Sequence, residues 1–170
     1  MKRLTLVRHA NATWKDWTAS DFERPLTRRG VSETGVLGQL LLRDEIVPDL
    51  LISSPAVRAR QTAELLAKEL ALPANVVRFE ESLYLAELPD LKRIAQSPGP
   101  KLSHLMIVGH NPCLSELARL LAPRADIAEL DTATACSMTF DVADWGGIDA
   151  GGAVETQLEL RSQPVPAVWP

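Results

Sequence analysis

The stretch that decides the fold is Leu105-Met106-Ile107-Val108-Gly109-His110-Asn111-Pro112. Its first four residues form the most apolar short run of the chain, which predicts a strand near the centre of a sheet. The polar turn that follows leads into a helix predicted over residues 113–121. A buried strand, a turn and a helix in this order are typical of an α/β protein.

The same order recurs along the chain. Short strands are predicted at residues 4–7, 50–52 and 76–79. Thr27 is the expected N-cap of a helix that ends near Arg43, Pro55 suits the first turn of a helix to Glu69, and another helix is predicted over residues 89–95. Residues 137–142 and 154–160 alternate in polarity, as in a hairpin. We therefore expect a three-layer α/β/α sandwich with a mostly parallel central sheet and a C-terminal hairpin.

Length and composition restrict the class of protein. The chain has 170 residues, which predicts one domain over residues 1–170. Its net charge of −4 argues against a general nucleic-acid binder. No apolar run reaches the roughly 18 residues of a membrane-spanning helix, and no signal peptide is evident. With only Cys113 and Cys136, a disulfide framework is excluded, and we expect a cytoplasmic protein that does not bind membranes.

The residues just after the predicted strands carry chemistry. Ligands of such sheets bind at the carboxyl ends of the strands, so these residues are expected to line one crevice. They are Arg8-His9, Ser53-Ser54 with Arg58 one turn later, Glu80-Glu81, and Gly109-His110-Asn111. Any one of them alone has an ordinary structural explanation, and it is their coincidence at matched strand ends that indicates a site.

Arginine and histidine in this combination suit phosphoryl transfer. Arg8 and Arg58 offer forked donors to phosphoryl oxygens, and His110 adds another. A neutral His9 imidazole can attack phosphorus directly, and the neighbouring arginines favour its neutral form. Spacing alone does not decide whether Arg58 or Arg60 faces inward.

A metal site is the weaker interpretation. His104, His110 and Cys113 are close in sequence, but they lack the spacing of a zinc site and no carboxylate cluster accompanies them. We expect His104 to be a partly buried structural residue and the two cysteines to fill the core.

Four motifs carry a family resemblance. They are Leu6-Val7-Arg8-His9-Ala10, Arg24-Pro25-Leu26-Thr27 with Gly30, Ser54-Pro55-Ala56-Val57-Arg58-Ala59-Arg60-Gln61-Thr62-Ala63, and Val108-Gly109-His110-Asn111-Pro112. In this order they resemble the histidine phosphatase superfamily, with its phosphoglycerate-mutase-like fold, and most closely its short SixA-like phosphohistidine phosphatase branch.

The resemblance implies roles for individual residues. His9 would be the phosphorylated nucleophile, and Arg8, Arg58 and His110 would form the phosphate pocket; the position after the proline selects Arg58 over Arg60. The family uses no metal and no bound cofactor. Glu81 aligns loosely with the acidic region of the family, either as a proton donor or as a solvated carboxylate. Ala10 after the first histidine matches the short branch, and Lys15 after Trp14 weakens a mutase interpretation.

The sequence thus predicts a metal-independent phosphatase with a phosphohistidine enzyme intermediate, acting on phosphohistidine in protein. A small-molecule phosphomonoesterase on the same fold remains an alternative, and so does a non-catalytic phosphate-binding module. An alkoxide leaving group needs a proton donor, whereas imidazole, with a pKa near 6.5, leaves more readily. The role of Glu81 therefore bears on the choice between the two substrate classes.

Overall fold

The computed structural model describes residues 1–14 and 18–161, and for 158–161 it describes the backbone. Six strands and four helices alternate along most of this chain. In order they are β1 (Lys2–Arg8), α1 (Arg28–Arg43), β2 (Leu50–Ser53), α2 (Val57–Glu69), β3 (Val77–Phe79), α3 (Leu88–Ala95), β4 (His104–Gly109), α4 (Cys113–Leu121), β5 (Thr134–Phe140) and β6 (Ala153–Arg161).

The six strands form one sheet in the order β3-β2-β4-β1-β5-β6. β4 lies between β2 and β1 and runs parallel to both, which confirms its predicted internal position. β3 is also parallel to β2, whereas β5 and β6 are antiparallel and form the predicted C-terminal hairpin.

Two apolar clusters cover the two faces of this sheet. Leu105 and Ile107 of β4 pack with α3 and α4 in one cluster. Met106 and Val108 of the same strand pack with α1 and α2 in the other. Because successive side chains of a strand point to opposite faces, this division produces the three-layer sandwich that the sequence predicts.

The ends of some elements differ from their predicted positions. Thr27 caps α1 as predicted, since its Oγ1 accepts a hydrogen bond from the Gly30 N–H at 3.0 Å. Pro55, however, precedes α2, which begins at Val57 with Ala56 at the N-cap. Val76 belongs to a short 3₁₀ turn before β3, and β5 begins at Thr134. Across residues 1–14 and 18–161, no helix has the length and apolar character needed to cross a membrane.

Candidate active site

The carboxyl ends of β1, β2 and β4 meet at one edge of the sheet. Arg8 is in register with Gly109, and the His9 backbone N–H donates to the Gly109 carbonyl at 3.1 Å. On the other side of β4, the Ser54 N–H donates to the Val108 carbonyl at 3.0 Å. The parallel pairing therefore places the residues that follow these three strands beside one another.

A cavity of about 250 Å³ opens at this edge, and we call it the cationic cavity. It is lined by Arg8, His9, Asn11, Ala12, Trp14, Arg24, Arg58, His110, Asn111 and Thr132. The structure thus brings together the four residues that the sequence predicts as nucleophile and phosphate ligands. Lys15, whose position after Trp14 weakens a mutase interpretation, lies outside the described residues.

The two ring nitrogens of His9 have different partners. Nδ1 lies 2.9 Å from the Ala10 carbonyl oxygen, which can only accept, so Nδ1 carries the proton. Nε2 accepts a hydrogen bond from Arg58 Nε at 3.3 Å. The neutral ring therefore directs the lone pair of Nε2 at Arg58, which lines the cationic cavity.

Burial and charge both keep the His9 ring neutral. The residue is 9% exposed, and this burial, followed by the charges of Arg58, Arg8 and Arg24, lowers its pKa to about 4. The hydrogen bond to the Ala10 carbonyl acts in the opposite direction and raises the pKa. His9 is thus neutral near pH 7, which is the state a nucleophilic imidazole needs.

Arg58 is buried in the first turn of α2, and all three of its guanidinium nitrogens are engaged. Besides Nε with His9, Nη1 donates to the Asp21 carbonyl at 2.6 Å and Nη2 donates to the Asp21 carboxylate at 3.0 Å. In this state the backbone carbonyl and the carboxylate of Asp21 together occupy the forked face of Arg58, a face that can donate to two oxygens of an anion.

Asp21 accepts from two further side chains at the edge of the cationic cavity. Arg24 Nε donates to its Oδ1 at 2.8 Å, and the Tyr84 hydroxyl donates to its Oδ2 at 2.9 Å. Burial raises the pKa of Asp21, but the hydrogen bonds from Tyr84, Arg24 and Arg58 outweigh it and lower the pKa to about 2. Asp21 is therefore ionised at neutral pH.

His110 lies opposite His9, with the two ring centroids 5.1 Å apart. Its Nε2 is 2.8 Å from the Ser54 hydroxyl, while Nδ1 is buried and has no partner among the described residues. Burial, the neighbouring His9 and the Arg58 charge lower the pKa of His110 to about 3. The buried Nδ1 of this neutral ring is thus left without a hydrogen-bond partner in the described part of the chain.

Arg8 is anchored by one of its guanidinium nitrogens. Nη1 donates to the Leu130 carbonyl at 2.8 Å, and Nε has no partner in the described part of the chain. The anchor fixes the direction of the side chain, and Arg8 lines the cationic cavity. Arg8 can therefore offer positive charge to an anion in that cavity.

The structure does not bring Glu81 into the cationic cavity. Glu81 begins a short 3₁₀ turn after β3, and its side chain is exposed. Tyr84, at the end of the same turn, is the residue that reaches the site. Arg60 is also outside; it is exposed and its guanidinium lies 4.4 Å from the centre of the Phe79 ring.

The residues considered as metal ligands have separate surroundings. His104 is buried more fully than expected, at 7% exposure, and it contacts Thr5 Oγ1 at 2.8 Å and the Val47 carbonyl at 3.0 Å. Cys113 and Cys136 are both buried. Within residues 1–14 and 18–161, no group of three His, Cys, Asp or Glu side chains is arranged to hold a metal ion.

Sequence reasoning did not find Asp21 or Tyr84. Tyr84 is 63 positions from Asp21, so no local pattern joins them. The one available signal was the position of Asp21, three residues before the Arg24 motif, which allows the ion pair between them. Arg24 itself was identified only as part of that motif, and its guanidinium lies 3.7 Å from the centre of the exposed Trp14 ring.

The chain is similar to several known proteins. Residues 4–83 match the histidine phosphatase superfamily (branch 1). An uncharacterised chloroplastic protein of Arabidopsis thaliana is 31% identical over 71% of this chain, which spans 59% of that protein. An uncharacterised protein of Mycobacterium tuberculosis is 36% identical over 68% of this chain and 70% of that protein.

Proteins of the SixA type are also similar. The phosphohistidine phosphatase SixA of Escherichia coli is 25% identical over 80% of this chain and 84% of its own. The structure of a protein histidine phosphatase SixA complexed with tungstate superposes with a TM-score of 0.77 at 22% identity, covering 92% of this chain and 96% of that one. The chain therefore belongs to the histidine phosphatase superfamily, and it is a phosphatase with the phosphoglycerate-mutase-like fold.

Proposed function

We propose that this phosphatase hydrolyses phosphohistidine in protein, without a metal ion, through an intermediate phosphorylated on Nε2 of His9. The observation that carries the proposal is the neutral His9 ring, whose Nδ1 proton is held by the Ala10 carbonyl and whose Nε2 lone pair faces Arg58. That nitrogen can attack phosphorus without losing a proton first.

In the first step, Nε2 of His9 bonds to phosphorus and the bond from phosphorus to the substrate imidazole breaks. The substrate leaves as a neutral imidazole when its other ring nitrogen carries a proton. In the second step, water adds to phosphorus and the bond to Nε2 breaks. Phosphate leaves with both protons of the water, and His9 returns to its neutral form with Nδ1 still protonated.

Cationic and neutral donors take the part that a metal ion plays in other phosphatases. Arg8 and Arg58 supply the positive charge for the phosphoryl oxygens, and His110 supplies a further contact through Nδ1. Arg58 exchanges its bonds with Asp21 for bonds to the phosphoryl group. Metal independence rests on this donor set.

The position of the carboxylates favours an imidazole leaving group over an alkoxide. An alkoxide needs a proton donor. Asp21 is ionised at neutral pH because its pKa is about 2, and Glu81 is exposed outside the cationic cavity. The SixA of Escherichia coli, a relative over most of both chains, is a phosphohistidine phosphatase, which supports the same substrate class. A cytoplasmic location and a single domain over residues 1–170 complete the proposal.

The covalent step is tested by trapping the intermediate. Brief incubation with a phosphohistidine protein, followed by a quench that avoids acid, is expected to leave an acid-labile phosphate on His9. His9→Ala is expected to lose both the label and turnover while remaining folded, since His9 lies just beyond the end of β1. A label on serine or cysteine would overturn the mechanism.

The substrate class is tested with a panel measured in EDTA. We expect kcat/KM to be high on phosphohistidine protein, low on alkyl phosphates, and nearly the same in Glu81→Gln. High alkyl phosphatase activity that falls about 10²–10⁴-fold in Glu81→Gln would establish the small-molecule phosphomonoesterase instead. Phosphate binding without turnover on any substrate would indicate the non-catalytic module, and activity lost in EDTA would overturn metal independence.

A further inference from the structure

A second cavity, also of about 250 Å³, adjoins the cationic cavity and shares His110 and Asn111 with it. We call it the apolar cavity. Besides these two residues and Tyr84, its lining includes Leu83, Leu85, Ala86, Leu91, Cys113 and Leu114. Its position means that a molecule bound by its phosphoryl group at His9 has the apolar cavity beside it.

The walls of the apolar cavity are fixed, and its mouth carries an exposed leucine. Leu83, Leu91 and Leu114 are 3%, 2% and 1% exposed and belong to the core. Leu85 is 81% exposed, the highest value among the exposed large apolar side chains of the described residues. A single exposed leucine is common on protein surfaces. Here, however, it stands in front of a preformed apolar cavity.

The turn that carries Leu85 is held against the phosphate site. Tyr84 donates its hydroxyl proton to Asp21, packs edge-on against Phe22 with ring centroids 4.9 Å apart, and lies 5.8 Å from the His110 ring. The distance between the two cavities is therefore set by the same residues that surround the phosphoryl group.

The electrostatics of the two cavities differ. Arg8, Arg24 and Arg58 surround the cationic one. Beside the apolar one, burial and the charges of Glu116, Asp90 and Glu87 raise the pKa of Cys113 to about 11. These carboxylates disfavour a second phosphate or a carboxylate in the apolar cavity.

Size restricts the occupant further. Pockets that enclose a whole small ligand usually measure roughly 300–1,000 Å³. The apolar cavity is below this range. Its volume and chemistry suit one apolar side chain.

We propose that the apolar cavity binds an apolar side chain of the substrate protein, within two positions of its phosphohistidine, and so selects which phosphohistidines are hydrolysed. This inference rests on the proposed function, since it presupposes a protein substrate. On this inference, Leu85 and the apolar cavity determine which substrate is bound and take no part in the chemical steps.

The test compares phosphohistidine peptides of one length. Four positions are varied, the two before and the two after the phosphohistidine. The reference peptide carries serine at all four, and each test peptide carries leucine at one of them and serine at the other three. We expect at least one leucine peptide to exceed the reference in kcat/KM by about tenfold, the scale of one apolar group in a fitted pocket. In Leu85→Ser and in Ala86→Phe, which fills the cavity, this ratio is expected to fall towards one.

Leu42→Ser is the matched control, because Leu42 is a 51% exposed leucine on α1. It is expected to keep the wild-type ratio. The inference would be overturned by equal kcat/KM for all peptides, or by a ratio of leucine to serine peptide that is unchanged in both cavity variants. In either case, hydrolysis of the peptides would still uphold the proposed function. If the protein hydrolysed neither the peptides nor free phosphohistidine, the proposed function would be overturned, and the inference with it.

Discussion

Arg58 and Arg60 are two positions apart on α2 and have different surroundings. Arg58 is 5% exposed and contacts His9, whereas Arg60 is exposed and stacks on Phe79. We expect Arg58→Ala to lower kcat/KM about 10²–10³-fold, the effect of losing a donor to a developing oxyanion. Arg60→Ala is the control and should remain within about twofold of wild type, because solvated surface groups contribute little.

Steady-state kinetics on one phosphohistidine substrate would measure both variants. A larger loss in Arg60→Ala than in Arg58→Ala would contradict the assignment of the phosphate ligand. Arg58→Lys keeps the charge but lacks the forked donors. It is expected to recover only a part of the lost activity.

Asp21 and a phosphate ion compete for the same donors of Arg58. The Asp21 carboxylate accepts from Nη2 at 3.0 Å and its carbonyl accepts from Nη1 at 2.6 Å. Removal of the carboxylate in Asp21→Ala frees Nη2 and removes a negative charge from the site, while the main-chain carbonyl of residue 21 can still accept from Nη1. We therefore expect the concentration of inorganic phosphate that half-inhibits this variant to be at least about fivefold lower than the concentration that half-inhibits the wild type.

Tyr84→Phe is the matched control for Asp21, since it removes one hydrogen bond to the carboxylate and leaves its charge in place. It should change phosphate inhibition only slightly. If Asp21→Ala bound phosphate more weakly than wild type, the main role of Asp21 would be to hold Arg58 in position.

At the scale of elements, the start of α1 is joined to the cavity-lining loop through Asn11. The Thr27 N–H and the Thr27 hydroxyl both donate to Asn11, the former to its carbonyl at 3.0 Å and the latter to its side-chain oxygen at 2.7 Å. This approach requires glycine at position 30, because a Cβ there would lie 2.1 Å from the Asn11 carbonyl oxygen. Since that atom belongs to the backbone, the contact cannot be relieved by rotating a side chain.

Gly30→Ala is therefore expected to lower the free energy of unfolding by about 1–3 kcal/mol, as overpacking does. It should also reduce kcat/KM, because Asn11 lines the cationic cavity. Gly35→Ala is the control on the same helix; a Cβ there meets nothing within 4 Å. Gly35→Ala should stabilise the protein by about 0.4–1 kcal/mol. Equal unfolding midpoints in urea for the two variants would contradict the close approach.

At the scale of the whole molecule, all three histidines are held in their neutral form. Burial is the largest cause in each case, and it lowers the pKa of His9 and of His104 to about 4 and that of His110 to about 3. The unfolded chain binds protons near pH 6.5, so between pH 6.5 and about 4 it takes up protons that the folded chain does not. The stability these groups confer is complete above pH 6.5 and is lost as the pH falls.

We expect the free energy of unfolding to decrease across this window by up to about 1.4 kcal/mol per pH unit for each histidine. Urea denaturation at pH 7.5, 6.5, 5.5 and 4.5 would measure the slope. His104→Gln removes a histidine outside the active site. It should make the dependence of the unfolding free energy on pH shallower by about the contribution of one histidine. A stability that is constant from pH 7.5 to 4.5 would contradict neutral burial of the three rings.

The sequence by itself determined the order of strands and helices and the edge of the sheet at which the site lies. Short apolar runs followed by helices predicted the parallel sheet, and the residues after β1, β2 and β4 had to meet because parallel strands end at one edge. For the same reason, the positions of Arg8, His9 and His110 along the chain were enough to predict that these side chains are neighbours.

Only the tertiary structure decided which other side chains belong to the candidate active site. Spacing alone could not choose between Arg58 and Arg60, and the family resemblance had to select Arg58. Arg58 is buried beside His9 and donates to Asp21, and Tyr84 donates to the same carboxylate. These contacts depend on how the turns that carry Asp21 and Tyr84, which are distant in sequence, pack against the edge of the sheet. The physical reason is that strand and helix patterns arise from interactions between residues close in sequence, whereas contacts across the site are made by residues that are distant in sequence and that local patterns leave unspecified.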